Sequence, residues 1–207
     1  MGRSGAPSSE ASSVTFSDLW GFARELPAIA WAVSLFAAFE AMILTLLPVY
    51  CLQQGFSTEI ALFMVSTVVV GDAVLQLPIG ALADHMSRRT LFTGCAVTLL
   101  VSSLAIPLLL HTPVIWPLWV LFGASAGGLF TLSLVLIGER YRDDELVRAN
   151  AHVAQLWGIG CLLGPLLAGA GSQWISGHAL PLLMAAGALG LVVLLLRQGA
   201  FGATQPA

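Results

Sequence analysis

The sequence contains no lysine, and charged residues of all kinds make up only 9% of its 207 residues. A soluble domain typically carries about 25% charged residues, so this chain has too little charge to cover a surface that faces water. The scarcity of charge excludes a soluble globular enzyme, and the 57% hydrophobic content excludes a disordered chain. The net charge of −3 provides no basic surface for nucleic acid. We therefore expect no nucleic-acid partner.

Cysteine is also scarce, and the three in the chain are Cys51, Cys95 and Cys161. They lie in or beside apolar stretches and form neither a CxxC pair nor a zinc-type spacing. We interpret them as small apolar packing residues. Since the histidines add no metal-ligand spacing either, we expect no disulfide, no metal site and no cofactor.

Long apolar runs are the dominant feature that the chain does have. A bilayer core about 30 Å thick is crossed by about 20 helical residues, and only helices and closed barrels satisfy every backbone group in lipid. The runs show no strict period-two alternation, which argues against a barrel. They predict six spans, at residues 28–50, 60–82, 90–110, 114–137, 150–175 and 179–196. Trp116, Trp119 and Trp174 fall near the outer ends of these spans, which predicts interfacial anchors.

The basic residues indicate how these spans are oriented. All eight are arginines, and they fall in the N-terminal segment, the second loop, the fourth loop and the C-terminal tail. In chain order they are Arg3, Arg24, Arg88, Arg89, Arg140, Arg142, Arg148 and Arg197. Because basic residues mark the cytoplasmic side, this segregation predicts six spans with both termini in the cytoplasm.

The two ends of the chain flank the predicted membrane domain, which covers residues 28–197. Residues 1–27 are predicted to form a cytoplasmic linker and residues 198–207 a cytoplasmic tail. Within the linker, Phe16, Leu19, Trp20 and Ala23 recur at helical spacing. This spacing is compatible with a short helix in the membrane interface, and equally with an ordinary juxtamembrane segment.

A polar signature ends the second predicted span, where residues 80–92 read GALADHMSRRTLF. Gly80 allows close approach of a neighbouring helix, and Asp84 can accept charge-assisted hydrogen bonds from arginines. The segment resembles the signature of the major facilitator superfamily, Gly-x-Leu-Ala-Asp-Arg-x-Gly-Arg-Lys. The matching positions are Gly80, Leu82, Ala83, Asp84, Arg88 and Arg89. His85 and Ser87 replace the usual arginine and glycine.

A second motif lies in the fifth predicted span, at Gly160, Gly164, Pro165 and Gly169. Small residues four positions apart allow tight helix contact, and a proline frees a backbone carbonyl and bends the helix. The segment resembles the superfamily pattern Gly-x-x-x-Gly-Pro-x-x-Gly-Gly, with Ala168 in place of one glycine. We predict that these four residues form a helix-packing motif.

The resemblance implies an all-α membrane protein in which six transmembrane helices form one repeat, half of a twelve-helix transporter. Residues 47–55 and 76–80 are similar to the C-terminal half of one bacterial branch, which implies the bacterial inner membrane. We therefore expect a half-transporter that moves a small solute through the lipid bilayer. Its second six-helix half would be another copy or a separate chain. A transport-inactive subunit or a truncated remnant packing on a partner is the alternative.

Two acidic residues lie at membrane depth, in spans that contain no arginine or lysine to pair with them. Asp72 falls near the middle of the second predicted span, and Glu40 falls in the outer half of the first. Gln76 follows Asp72 by one helical turn, on the same face. Because ionisable groups in lipid usually face a cavity or a partner, these three are candidates for proton coupling or cation recognition. The alternative is a neutral carboxyl group that joins helices by hydrogen bonds.

Charges also concentrate on the predicted cytoplasmic side, at residues 139–148 and in the 80–92 signature. Such runs are usually solvated, and exposed pairs contribute little. The resemblance nevertheless implies a gating role for Gly80, Asp84, Arg88 and Arg89, because in the superfamily this loop contacts the other half. We predict that Asp84, Arg88 and the 139–148 cluster form a cytoplasmic latch.

The hypothesis of an enzymatic function depends on residues 123–127, GASAG, which are similar to the Gly-x-Ser-Gly motif of rhomboid intramembrane serine proteases. A serine nucleophile requires a positioned base, and the sixth predicted span contains no histidine. Position 126 is alanine where that motif requires glycine. A packing face formed by Gly123 and Gly127 is the favoured interpretation, so we expect no catalytic residues and no enzymatic activity.

Overall fold

A computed structural model describes residues 16–82, 85–174 and 177–197, and all regular secondary structure in this part of the chain is helical. The helices, in chain order, are α1 (Phe16–Glu25), α2 (Pro27–Thr45), α3 (Leu47–Gln53), α4 (Thr58–Leu82), α5 (Arg88–Leu109), α6 (Ile115–Arg140), α7 (Asp143–Trp174) and α8 (Ala179–Arg197). The prediction of an all-α protein is confirmed for the described residues.

Five of these helices are long and apolar enough to cross a membrane. The qualifying segments are Pro27–Thr45, Arg88–Leu109, Ile115–Arg140, Asp143–Ser172 and Ala179–Arg197. Helix α4 has 25 residues and coincides with the second predicted span, but it is not among the five. The count of six spans therefore stays a prediction.

The first predicted span is divided at Leu46 into α2 and α3. Pro48 lies in the first turn of α3, where proline is well tolerated because the N–H that it lacks would have no partner there. Further inside a helix, the proline ring would clash with the carbonyl group four residues earlier, which favours an interruption of the helix just before Pro48. The Thr45 hydroxyl donates to the carbonyl of Ala41 at 2.5 Å. The first predicted span, residues 28–50, therefore contains two helices that meet at Leu46.

Helix α7 begins at Asp143, seven residues before the predicted start of its span. Asp143, Asp144 and Glu145 form its first turn, where acidic side chains complement the positive end of the helix dipole. Asp143 has a φ of 47°, a left-handed conformation that aspartate tolerates better than most residues. The interpretation of these three charges as a loop is wrong, since only Tyr141 and Arg142 connect α6 to α7.

The helices pack mainly in pairs: α4 lies against α6, α2 against α7, and α5 against both α8 and α6.

Trp119 and Phe122 of α6 are fully buried in the shared core and contact each other edge to face, with 5.7 Å between ring centroids. The prediction of Trp119 as an interfacial anchor is wrong, because its ring faces the neighbouring helices. Trp116 packs against Phe63, and the side chain of Trp174 lies outside the described residues.

Helix α1 confirms the helical spacing seen in the N-terminal segment. Leu19 and Phe22 are buried against α2 and α7, and the Phe22 ring stacks on that of His152 at 5.2 Å. Trp20 points away from this contact and is exposed, with the Arg24 guanidinium 5.2 Å from its ring. The apolar side of α1 therefore packs on protein, and a position in the membrane interface stays a prediction. Residues 1–15 and 198–207 of the predicted linker and tail lie outside the described part.

Candidate functional site

The candidate site begins with Asp72 and Gln76 on α4. The Gln76 side-chain amide donates a hydrogen bond from Nε2 to Asp72 Oδ1 at 2.8 Å. Both side chains are partly buried, and their spacing of one helical turn places them on the same side of the helix. The bond holds the Asp72 carboxyl group against the neighbouring α6.

Two glycines of α6 make room for this contact. A Cβ atom on Gly127 would overlap Asp72 Oδ1 and would lie 3.0 Å from Gln76 Nε2. A Cβ atom on Gly123 would overlap the carbonyl oxygen of Val68 and would lie 2.9 Å from the backbone nitrogen of Asp72. The interpretation of Gly123 and Gly127 as a packing face is confirmed, because only glycine permits this approach of α4 and α6.

The hydroxyl group of Ser125, the serine between these glycines, is hydrogen-bonded within its own helix. Ser125 is 4% exposed, and its hydroxyl donates to the carbonyl of Phe122 in its own helix at 3.0 Å. A nucleophile needs access to substrate and a base within hydrogen-bonding distance. The contacts that the structure gives Ser125 are those of a helix-packing residue.

Glu40 of α2 is the second carboxyl group of the site. It is partly buried and lies close enough to Asp72 for the two groups to interact electrostatically. Cys161 of α7 is also within electrostatic range of Glu40, and its thiol donates to the carbonyl of Ala37 at 3.6 Å. Among the described residues, Glu40 makes neither a hydrogen bond nor an ion pair. The structure thus joins Asp72 and Gln76 on α4 by a hydrogen bond and places Glu40 on α2, a helix that contacts α4.

An aromatic cluster borders these carboxyl groups. Phe36 lies one turn before Glu40 on α2, and its ring is 4.9 Å from that of Phe130 on α6. Trp157 of α7 contacts both rings edge to face, at 5.5 Å from Phe36 and 5.0 Å from Phe130. The cluster joins α2, α6 and α7 beside the polar residues.

The glycine motif of α7 lies against α2. A Cβ atom on Gly164 would lie 2.7 Å from the Cα atom of Ala38, and one on Gly160 would overlap the carbonyl oxygen of Ser34. Pro165 is inside the helix, directly after Gly164. Gly169 has no atom within 4 Å of the position a Cβ would take, so the close contact runs from Gly160 to Gly164 and does not extend to Gly169.

Two ion pairs connect the arginine-bearing ends of the helices. Arg88, at the start of α5, pairs with Glu139 near the end of α6. Arg140 donates to Glu25 Oε1 of α1 from Nε at 3.2 Å and from Nη2 at 2.6 Å. The Arg140 guanidinium holds the pKa of Glu25 below its usual value.

The structure describes some of the remaining residues of the 80–92 signature and not others. Gly80 lies in the last turn of α4 and Arg89 in the first turn of α5, where Arg89 is exposed. Asp84 lies outside the described residues. Ser87 caps α5 by accepting a hydrogen bond from the backbone N–H of Thr90 at 3.1 Å, which gives a structural reason for serine at that position.

Sequence reasoning missed two of these contacts. Serine immediately before a helical run is a recognised N-cap signal, so Ser87 was detectable. The pairing of Glu25 with Arg140 spans 115 positions in the sequence, and no local sequence pattern predicts it.

In the described part of the chain, no group of three or more His, Cys, Asp or Glu side chains could hold a metal ion.

Comparison with known proteins identifies the family to which this chain belongs. A family model described as Major Facilitator Superfamily matches residues 29–206. "Uncharacterized MFS-type transporter YcaD" of Escherichia fergusonii is 30% identical over 73% of this chain and 39% of its own length. "Uncharacterized MFS-type transporter YE1530" of Yersinia enterocolitica is 27% identical over 74% of this chain and 39% of its own length.

An "MFS-type transporter" of Aspergillus terreus is 26% identical over 58% of this chain and 22% of its own length. The chain therefore spans about two-fifths of the bacterial relatives that it matches. The match to the family model covers most of the chain and coincides with the apolar helices described above. This chain belongs to the major facilitator superfamily and is an integral membrane protein.

Proposed function

We propose that this chain contributes one half of a secondary carrier for a small solute, with Asp72, Glu40 and Gln76 lining the transport path. The observation that carries the proposal is the electrostatic interaction between two partly buried carboxyl groups on the contacting helices α2 and α4. Every arginine in the described helices lies outside the middle of the long apolar segments. The negative charge of the pair is thus not balanced by a basic side chain at that depth.

The chemistry of such a pair favours binding of a proton or another cation. Two negative charges that interact in a medium of low dielectric repel each other, and a proton or cation that binds to either carboxyl group relieves this repulsion. The Gln76 amide can bond to Asp72 in either protonation state: it donates to the ionised carboxylate and, after rotation, accepts from the protonated carboxyl group. These properties support proton coupling as the driving force of the carrier.

The packing of the helices supports the need for a second half. Of the five candidate spans, the α7 segment is the least buried inside the protein. Leu162 and Leu166 of α7 and Phe63 of α4 are more than half exposed. Alternating access requires one bundle to move against another, and a second six-helix half would cover these faces. It would be another copy of this chain, a separate chain, or another part of a longer polypeptide.

The arginine-bearing ends support the orientation and the gate. We propose that they face the cytoplasm at the bacterial inner membrane, in keeping with the distribution of basic residues. The Arg88–Glu139 pair links the start of α5 to α6 and supports the proposal that Gly80, Asp84, Arg88 and Arg89 form a cytoplasmic gate or hinge contact.

The test is solute uptake into membrane vesicles from cells that produce the chain at its native level. A mixture of metabolites is supplied with and without a proton gradient, and accumulated solutes are quantified by mass spectrometry. Asp72→Asn and Glu40→Gln remove a carboxylate with little change of shape. Glu59→Gln is the matched control, because Glu59 is exposed in the first turn of the same helix.

The expected result is gradient-dependent uptake that is lost in Asp72→Asn and Glu40→Gln and kept in Glu59→Gln, at equal amounts of inserted protein. Native mass spectrometry of the purified protein should show an assembly of about twelve helices. Uptake by Asp72→Asn equal to that of the unmodified protein would remove Asp72 from the mechanism. An assembly without uptake of any solute would instead identify a transport-inactive subunit.

A further inference from the structure

A cleft of about 460 Å³ lies where the starts of α2 and α5 meet the ends of α6 and α8. Its floor is apolar and is formed by Ile29 of α2, Phe92 of α5, Leu136 of α6 and Leu195 of α8. The rim carries Arg89 and Arg140, together with Glu139. The cleft therefore combines an apolar interior with a charged entrance.

Among the described residues, one guanidinium at the rim makes no ion pair. Arg140 is bound to Glu25, and Glu139 is bound to Arg88. Arg89 is exposed and makes no ion pair within the part of the chain that the structure describes. Each of the two ion pairs is neutral, so the net positive charge of the described rim residues belongs to Arg89.

The position of the cleft matches the depth of lipid headgroups. Arg89 is in the first turn of α5, Arg140 ends α6, and Leu195 is in the last turn of α8. Helix ends of this kind, at the limits of apolar segments, lie at the boundary between acyl chains and water. None of the cleft residues belongs to α4 or α7, the helices whose exposed faces a second half would cover. The cleft thus remains accessible in the proposed assembly.

We propose that this cleft binds an anionic glycerophospholipid. The phosphate would contact Arg89, with Arg140 beside it, and an acyl chain would lie along Phe92, Leu136 and Leu195. Basic pockets between transmembrane helices on the cytoplasmic side are suited to anionic headgroups, and arginine presents a planar fork of donors that fits phosphate oxygens. A free phosphate ion could use the rim but would leave the apolar floor unused.

The experiment is native mass spectrometry of the purified protein, with any partner that co-purifies, titrated with lipids of matched acyl chains. Phosphatidylglycerol is compared with phosphatidylcholine, and glycerophosphoglycerol and inorganic phosphate serve as chain-free competitors. Arg89→Gln tests the rim. Arg142→Gln is the control, since Arg142 is an exposed arginine on the same side that does not line the cleft.

The expected result is tighter binding of phosphatidylglycerol than of phosphatidylcholine, by about fivefold or more, the preference that one arginine near an anionic headgroup provides. Arg89→Gln should remove this preference and Arg142→Gln should keep it, while neither chain-free competitor displaces the lipid. Equal binding of both lipids, equal effects of the two substitutions, or displacement by inorganic phosphate would each overturn the proposal. The readout is lipid binding alone, so its failure would leave the proposed transport function untouched.

Discussion

Gly127 of α6 lies directly against the carboxyl group of Asp72 on α4, with no room for a side chain between them. Gln76 holds the same carboxyl group from within α4 at 2.8 Å. The position of Asp72 is thus set by two helices together, and the packing of α4 on α6 determines where its charge is placed.

Replacing Gly127 by alanine should disturb the site more than the fold. The added Cβ would overlap Asp72 Oδ1, so the carboxyl group must move or the helices must separate, at a cost of about 1–3 kcal/mol. We expect a lower melting temperature and at least a severalfold loss of uptake. Gly138→Ala, on the same helix, is the matched control, because the added Cβ would have no atom within 4 Å. Equal uptake by the two variants would show that transport does not depend on the position of Asp72.

Alanine should destabilise the protein at one glycine of the α7 motif and have little effect on stability at another. Gly164→Ala would place a Cβ 2.7 Å from the backbone of Ala38, whereas Gly169→Ala would place it in open space. Because backbone cannot give way as a flexible side chain can, Gly164→Ala should destabilise the α2–α7 contact by about 1–3 kcal/mol. Thermal denaturation in a mild detergent measures the difference. If Gly169→Ala proved the more destabilising of the two, the helix contact described here would be wrong.

The sequence predicts the helices well and their contacts poorly, for physical reasons. Apolar runs of about 20 residues define spans because lipid imposes that length. The break at Leu46 and the early start of α7 at Asp143 depend on local effects of proline and of the helix dipole, which hydropathy does not register. The burial of Trp119 depends on which side of α6 meets α4 and α5. In an apolar helix, no polar side marks that direction.

The candidate site was predictable as a set of residues and unpredictable as a geometry. Carboxyl groups at membrane depth are conspicuous because they are costly there, which identifies Asp72 and Glu40 from sequence. Their approach to each other, and that of Gly127 to Asp72, arise from tertiary pairing of α2, α4 and α6. A single sequence carries no signal for that pairing.

Docking of α1 should weaken in acid through Glu25. Arg140 lowers the pKa of Glu25 from its ordinary value of 4.5, so the ionised carboxylate stabilises the docked helix above that pH, and the contribution is lost as the pH falls below it. Both side chains are about half exposed, which limits the effect to about 1 kcal/mol or less. Distances between spin labels at positions 20 and 147, both exposed in the native protein, report the docked fraction.

The variant that isolates the contribution of Glu25 is Glu25→Gln, since Asp18, Glu145 and His152 also line the cleft between α1 and α7. The docked fraction of the unmodified protein should fall towards that of Glu25→Gln as the pH drops below about 4.5. Two proteins that respond identically across this range would assign the pH dependence to another group.

The Arg88–Glu139 pair offers a test by exchange of charge. Arg88→Glu alone and Glu139→Arg alone each place like charges together where α5 meets α6, and both should lower the melting temperature. The double variant restores an opposite-charge pair with the order reversed. Because the two side chains are 27% and 49% exposed, the coupling free energy of the double-mutant cycle should be at most about 1 kcal/mol. A coupling that vanishes would mean that solvent screens the pair completely, and a gating role for Arg88 would then have to come from contacts with the second half.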